Sequence, residues 1–351
     1  VGIVTALPDQ PGDWTDPGAH PVAHGVFRVP VPLPLDGLKA VNVYFIEDDG
    51  GLVVVDSGWA GPATTAALSA AVRAAGHRLD DISQFLVTHA HWDHYTQALM
   101  LRDQLKAPVR LGRGERHSIE AYTPDGPVHP EQVCLLRRGG AVELAERVAA
   151  IRVSDNERQI PFHAPDCWLD DRDTINLDGR SLEVFATPGH TRGHIVLRDA
   201  PGGLLFAGDH VLPHITPSLG FEQRPEPRPL RSYLDSLRLI GEQPDLMLLP
   251  AHGPVTASTH VRVEELLTHH EQRLSEVQAL VRSGHRDAYA IALAMRWTRR
   301  ARPLAELETE HQMVAVLEIQ AHLDLLADVG ELRESAEAEK GGNVVLRYDV
   351  A

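Results

Sequence analysis

The chain of 351 residues is expected to fold as an α/β protein, and three features of the sequence carry that expectation. Short apolar runs at 25–29, 41–46 and 52–55 open the ordered part, the last two joined by the turn segment Glu47-Asp48-Asp49-Gly50-Gly51. Helical and strand patterns then alternate, and His or Asp residues stand at the ends of several strands, where layered α/β folds collect functional groups. Beyond residue 255 the pattern becomes mostly helical, which marks a second region.

The elements follow in order. Residues 1–23, rich in Pro, Gly and Asp, read as an N-terminal arm. After the three opening strands, an Ala/Leu/Val run at 62–75 reads as a helix stopped by Gly76. A strand is expected at 82–88, a helix at 95–105 and a strand at 108–111. Residues 113–165 break the alternation with amphipathic stretches at 130–138 and 141–152, a helical insertion placed to act as a lid. Strands resume at 173–177, 181–186, 194–198 and 203–207, followed by a helix at 229–240 and a strand at 246–249. Helices at 258–282, 288–296 and 308–329 precede strands at 331–335 and 343–348, which flank a turn ending in Lys340-Gly341-Gly342. Three helices and a two-stranded ribbon in that order are winged-helix-like, so the expected divisions are 1–23, 24–254 and 255–351.

Charge limits the partners. The formal net charge is −16 and aromatic residues make up 5%, so nucleic acid meets an unfavourable field and few stacking platforms. Residues 255–351 hold 11 Lys and Arg against 16 Asp and Glu, which turns the winged-helix reading toward packing or a homodimer rather than DNA. No run long enough to span a bilayer and no leader segment is read, and Cys134 and Cys167 read as reduced thiols; a cytoplasmic protein with a small neutral or zwitterionic substrate is the expectation.

The chemistry concentrates at Thr88-His89-Ala90-His91-Trp92-Asp93-His94, directly after the buried-strand run Phe85-Leu86-Val87. Side chains two apart on an extended segment point the same way, so His89 and His91 can share one ion while the next bend offers Asp93 and His94 to a second. Imidazole and carboxylate without thiolate suit Zn²⁺, with Fe or Mn as alternatives. Further strand ends carry Thr187-Pro188-Gly189-His190, Gly208-Asp209-His210 and Ala251-His252-Gly253.

His-x-His-x-Asp-His at 89–94, then His190 in Thr-Pro-Gly-His-Thr-Arg-Gly-His, then Gly208-Asp209 and Ala251-His252-Gly253, resembles the metallo-β-lactamase superfamily over roughly residues 24–255. The resemblance implies an αββα sandwich of two mixed sheets. It implies that His89, His91 and His190 hold one metal, that Asp93, His94 and His252 hold a second, and that Asp209 bridges them. A water ionised on the metals would then attack an acyl carbon, and Asp93 would orient it. Asp56, in Asp56-Ser57-Gly58, would support the metal loop from behind; His194 would do the same, while Tyr95, His210 and His214 are candidates for substrate contact.

Class B lactamases lack the bridging Asp, so Asp209 favours an ester, thioester or lactone hydrolase of the glyoxalase II-like kind. Tyr95-Thr96-Gln97 departs from the small residues that follow the motif in glyoxalase II itself. The C-terminal region also looks like that of lactamase-like endoribonucleases, which makes cleavage of single-stranded RNA the alternative reading.

Overall fold

The computed structural model describes residues 13–34, 38–298, 300–338 and 342–351. The first twelve residues of the expected arm, and Lys340 and Gly341 of the expected turn, lie outside them. The first sheet begins with β1 (His20–Ala23), β2 (Val26–Pro32), β3 (Ala40–Asp48) and β4 (Gly51–Val55). Asp48 pairs with Gly51, leaving Asp49-Gly50 as a two-residue turn with both φ values positive, which matches the right-handed twist of the strands. After α1 (Pro62–Ala74) come β5 (Ile82–Val87), α2 (Trp92–Leu105) and β6 (Val109–Gly112). The insertion supplies α3 (Arg116–Ala121), α4 (Pro130–Arg138), α5 (Val142–Ala149) and α6 (Asp155–Arg158), and β7 (Cys167–Leu169) closes the sheet.

The second sheet holds β8 (Thr174–Leu177), β9 (Arg180–Ala186), β10 (Ile195–Asp199), β11 (Leu204–Gly208) and, after α7 (Pro229–Gly241), β12 (Met247–Pro250). The remainder is α8 (Thr259–Arg282), α9 (Ala288–Ala294), the short pair β13 (Arg296–Trp297) and β14 (Arg302–Pro303), α10 (Thr309–Asp328), and the ribbon β15 (Leu332–Ala338) with β16 (Val344–Val350). The first sheet runs in the order β1-β2-β3-β4-β5-β6-β7, antiparallel as far as β4 and parallel from there. The second runs β12-β11-β10-β9-β8, with only β11 and β12 parallel.

Strand alternation explains the layers. One face of the first sheet, with Val43, Phe45, Val54 and Phe85, packs on Leu68 and Val72 of α1 and Ala98 of α2. The opposite face, with Tyr44, Ile46, Val53 and Leu86, meets Val184, Leu197, Phe206 and Leu249 of the second sheet. The outer face of that sheet, with Phe185, Val196 and Leu205, is covered by Leu234 and Leu237 of α7 and Val263 and Leu266 of α8. These are the helix–sheet–sheet–helix layers of the expected sandwich.

Three local expectations are corrected. The arm ends before His20, because Val22 is buried and the segment 20–23 pairs with β2 as an edge strand too short to show a period. The strand β7, with three residues, is likewise too short to show a period in the sequence. Asp93 and His94 stand in the first turn of α2 rather than in a bend before it, with His91 at the N-cap in extended conformation.

The insertion packs in an informative way. Leu136 of α4 and Leu144, Ala145 and Val148 of α5 share one core with Val277 of α8, Ile291 of α9 and Met313, Val316 and Leu323 of α10. An amphipathic pattern states that a helix buries a face but not against what. Here the apolar face of the insertion serves the C-terminal helices, while Tyr122 and Phe162 reach the metal loop.

Candidate metal centre

β5, buried at Phe85, Leu86 and Val87, leads through the buried Thr88 to His89 and to His91, the latter in extended conformation. The first helical turn then swings Asp93 and His94 to the same place, where the α2 N-terminus favours a carboxylate. His190 arrives from the turn after β9, Asp209 from the end of β11 and His252 from the end of β12. All seven converge in two groups, His89, His91, His190 and Asp209 in one and Asp93, His94 and His252 in the other.

In the first group His89 Nε2 lies 3.0 Å from His91 Nδ1 and 3.2 Å from His190 Nε2, and His190 Nε2 lies 3.0 Å from His91 Nδ1. Three nitrogens bound to one tetrahedral Zn²⁺ at about 2.05 Å would stand about 3.3 Å apart, so the triangle has the right size. In the second group, Asp93 Oδ2 lies 3.6 Å from His94 Nε2 and 3.4 Å from His252 Nε2. Asp209 joins the two: Oδ2 is 3.4 Å from His190 Nε2, and Oδ1 is 3.4 Å from His252 Nε2 and 3.7 Å from His94 Nε2.

Hydrogen bonds behind the rings fix which nitrogen is free. Asp56, held at φ 59°, accepts from the Thr88 amide at 2.8 Å through Oδ1 and from His94 Nδ1 at 2.9 Å through Oδ2. The Thr88 hydroxyl also donates to Asp56, so its oxygen must accept from His89 Nδ1, 3.0 Å away. His190 Nδ1 donates to the Ser218 carbonyl at 2.6 Å and His252 Nδ1 to the Ala40 carbonyl at 2.9 Å. Each points its Nε2 into the centre, the arrangement metal-binding histidines require. Three atoms that face the centre, Nε2 of His94 and His252 and Oδ1 of Asp209, are buried without a hydrogen-bond partner among the described residues. Unpaired buried acceptors of this kind are costly unless a cation takes them. The donor set therefore fits two divalent ions.

Electrostatics divide the groups. Burial, with the neighbouring imidazoles, keeps His89 far below the ordinary histidine range, and burial holds His91 and His190 to about 3, so all three are neutral imidazoles at pH 7. His94 is also opposed by burial, yet Asp93, Asp56 and Asp209 push it up to about 10. Asp93 resists burial because His94 and His252 face it, and its carboxyl lies well below the usual range.

The flanking candidates separate. His194 accepts the Asp209 amide at Nε2 (3.1 Å) and its Nδ1 faces the Thr187 hydroxyl (2.9 Å), so it holds the backbone of the bridging residue. Gly208, at φ 50°, permits this: a methyl there would meet Thr88 Oγ1 at 2.6 Å and His194 Nε2 at 2.7 Å. Tyr95 is corrected, because its ring is fully buried and its hydroxyl donates to the His163 carbonyl at 2.6 Å, leaving nothing for an oxyanion. His210 is corrected as well: it is fully buried, with its ring against His194 and Tyr233, out of a substrate's reach. His214 is exposed at the rim, near Gly253. Cys134 and Cys167 are free and exposed.

A profile of the Metallo-beta-lactamase superfamily matches residues 36–252. The chain belongs to this superfamily. It is 24% identical over 245 residues to the Beta-lactamase-like protein 2 homolog of Caenorhabditis elegans, covering 68% of this chain and 65%, just under two thirds, of that protein. It is 23% identical over 327 residues to the Probable metallo-hydrolase YqjP of Bacillus subtilis, covering 91% of this chain and 95% of the relative. The crystal structure of the metallo-beta-lactamase family protein TTHA1429 from Thermus thermophilus superposes with a TM-score of 0.76 at 25% identity, covering 94% of this chain and all of that one (100%). The likeness to these last two runs through the C-terminal helices as well as the sandwich. Among the described residues no helix is long and apolar enough to cross a membrane.

Sequence reasoning missed one buried group behind the centre. Glu115, 1% exposed, and Glu222, 4% exposed, are both pushed up by burial, Glu115 to about 8 with help from Glu222, and Glu222 to about 7 against the Arg192 amide. A carboxyl raised from the ordinary 4.5 stabilises the fold fully below that value and loses its contribution as pH rises through 7 to 8. Between about pH 5 and pH 9, thermal midpoints of the wild type are thus expected to fall relative to a Glu115→Gln, Glu222→Gln variant. Parallel curves would show that neither group changes its protonation on folding.

Proposed function

We propose that the chain is a dinuclear metal-dependent hydrolase that opens an ester, thioester or lactone, with Zn²⁺ as the metal. The observation that carries the reading is the Asp209 carboxylate, one oxygen facing each ligand group. When bound, the cations supply Lewis acidity and a water whose pKa drops to about 7, so no Ser or Cys nucleophile is needed. Asp93, ionised at neutral pH, accepts a hydrogen bond from the attacking water and orients it at the acyl carbon. His214 at the rim is the remaining candidate for contact with the leaving group.

Aromatic side chains support an apolar acyl pocket. Trp92, between the ligands His91 and Asp93, stacks on Phe162 (6.0 Å, 20°) and packs against Trp59 (5.4 Å) and Tyr122 (6.1 Å). Tyr122 and Phe162 come from the insertion, and Trp92 and Trp59 are only partly buried. The insertion would thus act through its two ends as one wall of the pocket. Nucleic acid finds less support. The third C-terminal helix, α10, which in a winged helix would enter a groove, buries Met313, Val316, Ile319, Gln320 and Leu323 inside the protein.

Zinc-replete protein is expected to turn over aryl esters, acyl thioesters or lactones while leaving single-stranded RNA intact. RNA cleavage without acyl turnover would transfer the assignment to the endoribonuclease reading. Trp92→Ala should raise KM for aryl and long-chain acyl substrates about tenfold, the scale of one aromatic contact, and leave acetyl substrates unchanged. Equal losses on both would remove Trp92 from the pocket.

A further inference from the structure

Glu115 sits where three segments of the centre meet. It follows β6, its side chain is buried, and its carboxyl accepts a short hydrogen bond from the Thr191 hydroxyl through Oε1. The backbone amides of Ala90 and Gly193 lie close enough to favour its charged form. Ala90 separates His89 from His91, and Thr191 follows His190. One carboxyl therefore lies against a sequence neighbour of every histidine in the first group.

The surroundings are built for this approach. A methyl on Gly193 would come within 2.0 Å of the Glu115 amide nitrogen, and one on Gly114 within 2.7 Å of the Arg192 carbonyl, so the two segments lie backbone against backbone. Behind them Glu222 accepts from the Arg192 amide at 3.0 Å and the Ser118 hydroxyl at 3.2 Å. Its own segment carries Ser218, whose carbonyl fixes His190. The turn that holds His190 is thus gripped from the insertion on one side and from the 211–228 segment on the other.

We propose that Glu115 is a positioning residue: by tying Thr191 to the His89–His91 loop it sets the spacing of the first cation group. The proposal rests on reading the centre as a cation site. A ligand set must be held to within about 0.5 Å to bind well. Glu115 Oε2 has no hydrogen-bond partner among the described residues, which suits a carboxyl carrying its proton there. Gln is then a close replacement, since its amide keeps the Thr191 acceptor.

The test is a Co²⁺ titration of metal-stripped full-length protein, followed by optical absorption and calorimetry, which resolve the two binding steps. Thr191→Val and Glu115→Ala are expected to weaken the first group's step about 10–100-fold, the usual cost of losing a partner behind a ligand, while the step assigned to Asp93, His94 and His252 is unchanged. Thr191→Ser and Glu115→Gln should bind as the wild type does. Thr191→Val keeps the shape of the site and serves if Glu115→Ala fails to fold. If the wild type takes up two ions and Thr191→Val matches it, or loses both steps equally, the positioning role is overturned while the centre stands. If the wild type takes up none, the cation reading and the proposal fall together.

Discussion

Asp209→Ala is expected to lower kcat by at least about 10²–10³-fold and to reduce bound metal to about one ion per chain. That loss in rate is the scale on which removal of a single preorganised electrostatic group slows an enzyme. The physical reason is the position of the carboxylate between His190 on one side and His94 and His252 on the other. Two divalent cations in such proximity repel, and a shared anion offsets that repulsion. Asp209→Asn keeps the shape and one acceptor oxygen but removes the negative charge, so it should retain more metal than Ala and still lose most turnover. Elemental analysis and steady-state kinetics on the same preparations check this. Full activity with two ions retained in the Ala variant would remove Asp209 from the bridging role.

Asp56→Asn should act on the second group through the tautomer of His94. The two Asp56 oxygens do different work: Oδ1 accepts from the Thr88 amide and hydroxyl, and Oδ2 faces His94 Nδ1. Asn can keep its oxygen toward Thr88 only by presenting its NH₂ to Nδ1. His94 must then carry its proton on Nε2, the nitrogen that faces Asp93 and Asp209, and that nitrogen can no longer bind a metal. Asn also tolerates the left-handed backbone at this position, so the effect on folding stays small. The expected result is a 10–100-fold loss, roughly, in affinity at the second group with the first unchanged. Unchanged affinity at both would show that His94 does not depend on Asp56 for its tautomer.

The legible and hidden parts of this site differ in a physical way. Four positions at 89–94 announce their chemistry locally, because a strand end followed by a helix turn brings near neighbours to one point. His190, Asp209 and His252 are far apart in sequence but share a context, a strand end marked by Gly or Pro. The partners that set the ring tautomers of His190 and His252 are main-chain carbonyls of Ser218 and Ala40, which any residue type supplies and no pattern reveals. Glu115 was silent because a single acidic residue in a loop reads as solvated, and only the packing of Gly114 on Arg192 and Gly193 buries it. Tyr95 misled because adjacency to His94 on a helix means a rotation of about 100°, which turns it into the core beside Phe162.

In the fold, the apolar runs of β3, β4 and β5 marked largely buried strands, while the sandwich of two sheets with helices outside followed from the resemblance carried by the His and Asp motifs. The partnership of α4 and α5 with α8, α9 and α10 was not foreseeable, because it joins segments more than a hundred residues apart through faces that are merely apolar.

The most direct test of the whole account is the metal content of the purified full-length chain after loading with Zn²⁺ and removal of free ion. Two ions per chain are expected, with one lost in a His252→Ala variant. A wild-type chain that retains none, or a variant without His252 that still retains two, would contradict the assignment of these side chains to a two-cation centre.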